Sequence, residues 1–260
     1  MASSSSRRTH TKITGAPDYD SPGYWDQKFA TGQDVGEWLN PGDVLIEAAA
    51  SDLDRRNVSR PRALHLGPGI SKLGTKLGEC FAERGWLGSN IVNVDFSAEA
   101  VRLGQQAERE KQAKEAMHWI CADLRSWTDV SQLAEFAPFD LILDKSTSDA
   151  IATSAPQAIS TDEVICPTIH EIMNKNHGGP VKLSPVELLA LHLVPLTQRG
   201  STWFCLSYSG VRFDNLPHLA AYWTLTGRVP VPAPAGQLTS SANTPEVFHW
   251  LYILQRNNTV

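Results

Sequence analysis

Cysteine is scarce. The 260-residue chain has four, Cys80, Cys121, Cys166 and Cys205, and none lies near another in sequence. That excludes a CxxC metal or redox motif and a dense disulfide framework, and it fits a reducing compartment, cytoplasmic or nuclear. An excess of positive charge is also lacking: 23 Lys and Arg face 28 Asp and Glu, a net charge of −5. A broad nucleic-acid surface is not expected from that balance. No run approaches the ~20 apolar residues that span a bilayer, so no membrane partner is expected. The opening MASSSSRRTHTK is basic but has no apolar run after it, unlike a secretory signal. Asp18 and Asp20 count against a transit peptide. No internal repeat stands out. Cys166, His170 and His177 share one segment, but ligand spacing would be tighter and a fourth partner is missing. No metal site is expected.

What is present suits a folded domain. The chain is 42% hydrophobic and 20% charged, enough to bury a core. Its length fits one α/β domain with elaborations. Residues 1–20 read as a flexible tail, rich in Ser. Residues 21–260 read as one domain with an insertion at about 152–183.

Strand and helix patterns alternate from residue 43 onward. Asp43 to Arg56 is Ala- and Leu-rich and reads as a helix stopped by Arg60-Pro61. Apolar runs at Ala63–Leu66, Ile91–Val94, Met117–Cys121 and Phe139–Leu143 read as strands. Helical patterns lie between the first three, at Ser71–Arg84 and Ala98–Glu115. This alternation predicts a parallel sheet with helices on both faces. The pattern breaks over Ala152–Leu183, a polar stretch with Pro156, Pro167, Pro180 and Gly178-Gly179, read as a lid or a substrate-binding insertion. It resumes with a Ser184-capped, Pro185-started helix to about Thr197. Trp203–Tyr208 and Val247–Leu254 follow as strands, with a helix near Asn215–Tyr222. Val229–Ala235 is too Pro-rich for a central strand.

Chemistry-bearing residues gather where these strands end. Leu66-Gly67-Pro68-Gly69-Ile70-Ser71 follows the first strand. It is either a plain tight turn or a place where backbone approaches a ligand at a helix N-terminus. Asp95 ends the second strand, where a carboxylate can accept both ribose hydroxyls of a nucleotide. Its other reading is a helix cap, a role that Ser97 can fill. Asp123, after the third strand, is a loop acid or an acceptor for an adenine amino group. Asp144-Lys145-Ser146-Thr147-Ser148-Asp149-Ala150 closes the fourth. Ligands bind outside the carboxyl ends of such strands, so all four places share one crevice.

This order resembles the class I, seven-strand S-adenosylmethionine-dependent methyltransferases. It is most similar to a eukaryotic branch that includes lysine methyltransferases of elongation factor 1 alpha. The residues that carry the resemblance are Tyr24-Trp25, the Leu66–Ser71 loop, Val94-Asp95-Phe96-Ser97 and Asp144–Ala150. The last follows an Asp/Glu-Lys-Gly-Thr-Leu-Asp-Ala motif, with Ser146 and Ser148 in place of its glycine and leucine. The resemblance covers roughly residues 22–255 and implies a Rossmann-like seven-stranded sheet, an N-terminal helical lid and the insertion after strand 4.

It also implies roles. Gly67, Pro68 and Gly69 would pass beside the methionine part of S-adenosyl-L-methionine. Asp95 would hold the ribose, Phe96 would flank the adenine, and Ser97 would follow them at the same site. Asp123 and the Leu124 N–H would read the adenine edge. Trp25 would cover the cofactor. Asp144 and Lys145 would sit near the methionine amino group and the methyl, with Asp144 and Asp149 as candidate bases. Lys145 would alternatively pair with either acid. The implied activity is methyl transfer to an amine, a protein lysine among the candidates. A small-molecule O-, N- or S-methyltransferase and a silent cofactor-binding partner protein are the alternatives.

Overall fold

The computed structural model describes residues 17–32, 37–160, 164–234 and 246–258. Most of the expected tail, residues 1–16, lies outside them. Its last residues do not behave as a tail: Tyr19 and Asp20 are half-buried against the rest of the domain.

Two helices open the described chain, α1 (Pro22–Ala30) and α2 (Asp43–Arg55). The alternation then runs β1 (Ala63–Leu66), α3 (Leu73–Glu83), β2 (Ile91–Asp95), α4 (Ala98–Glu108), β3 (His118–Cys121), α5 (Trp127–Val130), β4 (Phe139–Lys145) and α6 (Thr147–Ile151). The insertion holds β5 (Gln157–Ile159), α7 (Pro167–Lys175) and β6 (Val181–Leu183). The chain continues through α8 (Pro185–Leu193), β7 (Thr197–Ser207), α9 (Pro217–Ala220), β8 (Trp223–Pro232) and β9 (Phe248–Arg256).

Seven strands form one sheet in the order β3-β2-β1-β4-β7-β9-β8, and β5 pairs with β6 in a second, two-stranded sheet. The first five strands are parallel; β9 runs antiparallel to both its neighbours. Chain order reverses direction between β1 and β4, which opens a crevice at their carboxyl ends. One apolar layer packs α2 and α3 on the sheet, and the other packs α7 and α8 on the opposite face. Covered on both faces, β1 and β2 are buried throughout, which is why they read as apolar runs. Their polar members satisfy each other: His65 stands opposite Asn93, with Nδ1 2.9 Å from Asn93 Oδ1. Burial pushes the His65 imidazole down to about 4, against the help of Asn93. It is therefore neutral at pH 7 and structural.

Three helix boundaries differ from the sequence expectation, and β7 begins at Thr197, ahead of the expected Trp203. α4 stops at Glu108 rather than Glu115, because the Glu108 carboxylate accepts from Met117 N–H and Lys111 Nζ and turns the chain into β3. α8 has the expected Ser184 cap, completed by Glu187 as a capping box. It ends at Leu193, not Thr197, because Pro195 offers no N–H to continue the helix. The helix near Asn215–Tyr222 is one turn, Pro217–Ala220. The Pro-rich segment from Val229 is, up to Pro232, part of edge strand β8, where its missing donors are tolerated. Ala235 lies outside the described residues.

The insertion is not irregular. Ile169, Ile172 and Met173 on α7 join Val181, Leu183 and the buried face of α8 in one core. Cys166 is buried there, its thiol donating to Leu191 C=O at 3.4 Å.

Candidate active site

The parallel strands deliver their ends to one cavity of about 360 Å³, a size that suits a small ligand. Gly67 and Gly69 come from the β1 end, Asp95 and Phe96 from β2, Asp123 and Leu124 from the loop after β3, and Lys145 to Ala150 from the β4 end, without Ser148. Tyr208 follows β7, and Tyr19, Trp25, Phe29 and Trp38 cover the opening.

The glycines are required. Gly67 and Gly69 have φ of +53° and +52°, in the left-handed region that favours glycine. A Cβ on Gly67 would lie 2.3 Å from Thr147 Oγ1, and one on Gly69 would lie 3.1 Å from the Phe29 ring. Pro68 is buried between them and does not line the cavity. The loop is held by Asp95, whose Oδ2 accepts from Gly69 N–H at 2.9 Å and whose Oδ1 accepts from Ser97 N–H at 2.8 Å. Asp95 is 5% exposed. Burial pushes its carboxyl up to about 6, in spite of those two N–H groups.

Ser97 is the cap of α4 and lies outside the cavity wall. Its hydroxyl donates to Asp26 Oδ1 at 2.6 Å, and Asp26 also accepts from Glu99 N–H. Asp26 thus docks α1 on the start of α4. That docking presents Trp25 to the cavity, where its ring packs on Tyr19, Phe29 and Trp38 at centroid distances of 5.7 to 6.0 Å.

Asp123 is forked by Arg125, with Nε to Oδ1 at 2.9 Å and Nη2 to Oδ2 at 2.7 Å. Burial would raise this carboxyl, but the guanidinium holds it below the usual range. Arg125 also donates to Ser154 Oγ, which donates to Asp20. This ties the first described residues to the loop after β3.

Lys145 pairs with neither Asp144 nor Asp149. Its Nζ donates to Glu37 Oε2 at 2.6 Å and to Asn40 C=O at 3.1 Å. Glu37 also accepts from Ser71 Oγ and Lys72 N–H at the start of α3. Burial lowers the Lys145 amine against the pull of Glu37. The Lys145 side chain is 5% exposed and that of Glu37 27%, which makes the pair asymmetric. Glu37→Ala strands a buried ammonium, whereas Lys145→Ala leaves Glu37 its two other donors. Thermal melting should therefore show the larger drop for Glu37→Ala.

Asp144 lies beneath the cavity, fully buried, and does not line it. Its Oδ1 accepts from the N–H groups of Thr147 and Ser148 and starts α6; its Oδ2 has no partner. Burial pushes its carboxyl up to about 6. A folded-state value above the unfolded ~3.9 favours the fold at low pH, a contribution lost as pH rises through about 6. Asp144→Asn removes that titration. The melting temperature of wild type relative to the variant should fall between pH 4 and 7.

Asp149 lines the cavity and is held by three donors. Its Oδ1 accepts from Ser207 Oγ at 2.5 Å and Arg212 Nε at 2.7 Å, and Oδ2 accepts from Tyr208 N–H at 3.2 Å. Among the described residues of 152–183, Thr153 alone lines the cavity. Glu37, Arg125 and Arg212 were not among the sequence-derived candidates.

The sheet order, the switch-point crevice and the Asp95-held glycine turn define the fold of the class I S-adenosylmethionine-dependent methyltransferases. Comparison with known proteins agrees. No family model matches the chain. Methyltransferase srdJ of Neurospora crassa is 26% identical over 239 residues, 92% of this chain and 84% of the relative. The N-methyltransferase NodS of Bradyrhizobium japonicum, solved with S-adenosyl-L-homocysteine, superposes with a TM-score of 0.51 at 11% identity, over 90% of this chain and 97% of NodS. A SAM-dependent methyltransferase of Anabaena variabilis gives 0.50 at 11% identity, over 92% and 95%. These relatives support a methyltransferase of class I fold. The narrower likeness to the elongation factor lysine methyltransferases is not among what they support.

Proposed function

We propose that the protein is an S-adenosylmethionine-dependent methyltransferase whose acceptor is a small molecule. The observation that carries this reading is the single cavity with two unlike ends. The glycine turn, Asp95 and Asp123 line it from the ends of β1 to β3, and Ser146, Thr147 and Tyr208 line it from the ends of β4 and β7.

The first end fits the cofactor. Side chains at Gly67 and Gly69 would fill the cradle, and Asp95 sits where ribose hydroxyls can be accepted. Phe96 and Leu124 are placed for the adenine, with Asp123 beside them, and Trp25 for the cover. When bound, the cofactor supplies a methyl group already activated on a sulfonium. The protein then has to orient the acceptor and keep water out, which the Tyr19, Trp25, Phe29 and Trp38 cover suits.

The second end favours a small acceptor over a lysine. An ammonium needs a base and a counter-charge, and the acids named for that work are engaged: Asp149 with Arg212, Asp144 with the start of α6. Incubation with methyl-labelled S-adenosylmethionine and size-fractionated cell extract tests this. Label in the metabolite fraction supports the reading. Label in protein would restore the lysine acceptor, and label in neither would support a silent partner protein.

A further inference from the structure

Asp95 and Asp123 both line the cavity, but they are held differently. Asp95 accepts backbone N–H groups, and burial pushes its carboxyl up to about 6. Asp123 is held by a cation. Arg125 Nε lies 2.9 Å from Oδ1 and 3.2 Å from Oδ2, and Nη2 lies 2.7 Å from Oδ2. The backbone N–H of Arg125 adds a bond to Oδ1 at 2.9 Å. These three N–H groups occupy three of the roughly four acceptor sites of a carboxylate, which leaves one for a ligand. The Asp123 side chain is 29% exposed and that of Arg125 17%, so the acid is the more open of the two.

The fork does two things to Asp123. It fixes the carboxylate plane, because a guanidinium binds both oxygens at once. It also keeps the group an acceptor: burial alone would raise the carboxyl, and the guanidinium holds it below the usual range. An amino group on a purine requires an acceptor, whereas a protonated carboxyl would offer it a donor. The other titratable neighbours supply no cation. Asp129 of α5 accepts from Asp123 N–H at 3.0 Å. His192 of α8 stands 2.9 Å from Leu124 C=O, and burial pushes its imidazole down to about 4, so it is neutral at pH 7. Arg125 also reaches the cover of the cavity. Its Nη1 donates to Ser154 Oγ at 2.9 Å and lies 3.9 Å from Asp20 Oδ2. That second tie acts on any ligand alike, while the fork on Asp123 acts on the base.

We propose that Arg125 is the positioning residue for the cofactor's base: by holding Asp123 as a fixed acceptor, it makes the site select a 6-amino purine over a 6-oxo purine. The inference rests on the S-adenosylmethionine reading above and adds a residue to it. A 6-amino group donates to the remaining acceptor site of Asp123. A 6-oxo group sets a second acceptor against the carboxylate, a mismatch that sites of this kind reject.

S-adenosylhomocysteine and S-inosylhomocysteine are the probes, since their purines carry an amino group and a carbonyl at the same carbon. Their binding is measured by calorimetry at pH 7.5 and 5.5, for wild type, Arg125→Ala and Arg125→Lys. Wild type should favour the adenine probe about 100-fold at both pH values. Arg125→Ala should cut that ratio about tenfold at pH 7.5. It should cut it further at pH 5.5, where the carboxyl, left to burial, gains a proton and donates to the 6-oxo group. Arg125→Lys keeps the charge without the fork, so its ratio should be intermediate and the same at both pH values. Asp95 and the cover act on both probes equally and cancel in the ratio. A wild type without preference, or an Arg125→Ala ratio equal to that of wild type at both pH values, overturns the proposal and leaves the cofactor reading standing. Where Arg125→Ala does not melt as a folded protein, Arg125→Lys decides, and a ratio equal to that of wild type overturns the proposal. A folded wild type that binds neither probe overturns the cofactor reading and the proposal together.

Discussion

Asp95→Ala should lower affinity for S-adenosylhomocysteine about 100-fold while the protein stays folded. A hydrogen bond to a charged group contributes roughly 1.5–3 kcal/mol, and the proposed ribose contact supplies two. Asp95 lines the cavity, and each of its oxygens accepts a single backbone N–H, which leaves further acceptor capacity on both. Its raised value of about 6 adds a pH signature. Protonation removes an acceptor, so wild-type affinity should fall as pH drops through 6, and that of Asp95→Ala should not. The stability sign is opposite. A carboxyl raised above its unfolded ~3.9 stabilises the fold below that value and loses the contribution as pH rises through about 6. Acidification from pH 7 to 5 should therefore weaken binding without loss of stability at this residue. Parallel titration calorimetry and melting separate the two.

The second large effect falls on stability. Asp149→Ala removes the partner of Arg212, whose side chain is 12% exposed beside a 3% exposed carboxylate. Breaking a buried pair from one side costs about 3–5 kcal/mol. It also frees Ser207 Oγ and Tyr208 N–H. Denaturant unfolding should show that loss, and Asp149→Ala with Arg212→Ala together should cost less than the sum of the two. A catalytic base would behave differently, with turnover lost and unfolding unchanged.

How far these roles could be read in advance depends on range. β1, β2 and β4 were legible because strands buried on both faces are apolar runs, and Asp95 was legible because it ends one. The glycine turn was legible for a similar local reason. Lys145 was visible, but its partner Glu37 lies 108 positions away in a loop without periodicity. Arg212 lies 63 positions from Asp149, so a carboxylate held by packing looked like an unoccupied base. The insertion misled in another way. Its prolines and glycines suggested a lid, while Ile169, Ile172 and Met173 already carried the helical spacing of a core face. Ser146 was visible as a departure from a motif; its positive φ and orphaned hydroxyl belong to the folded backbone alone.

The central claim is that the β1–β3 end of the cavity binds S-adenosylmethionine and its product. Calorimetric titration of the folded protein with S-adenosylhomocysteine tests it most directly. The account predicts saturable binding at one site per chain, abolished or sharply weakened by Asp95→Ala. A folded wild-type protein that takes up no S-adenosylhomocysteine, or an Asp95→Ala variant that binds it as well as wild type, would contradict it.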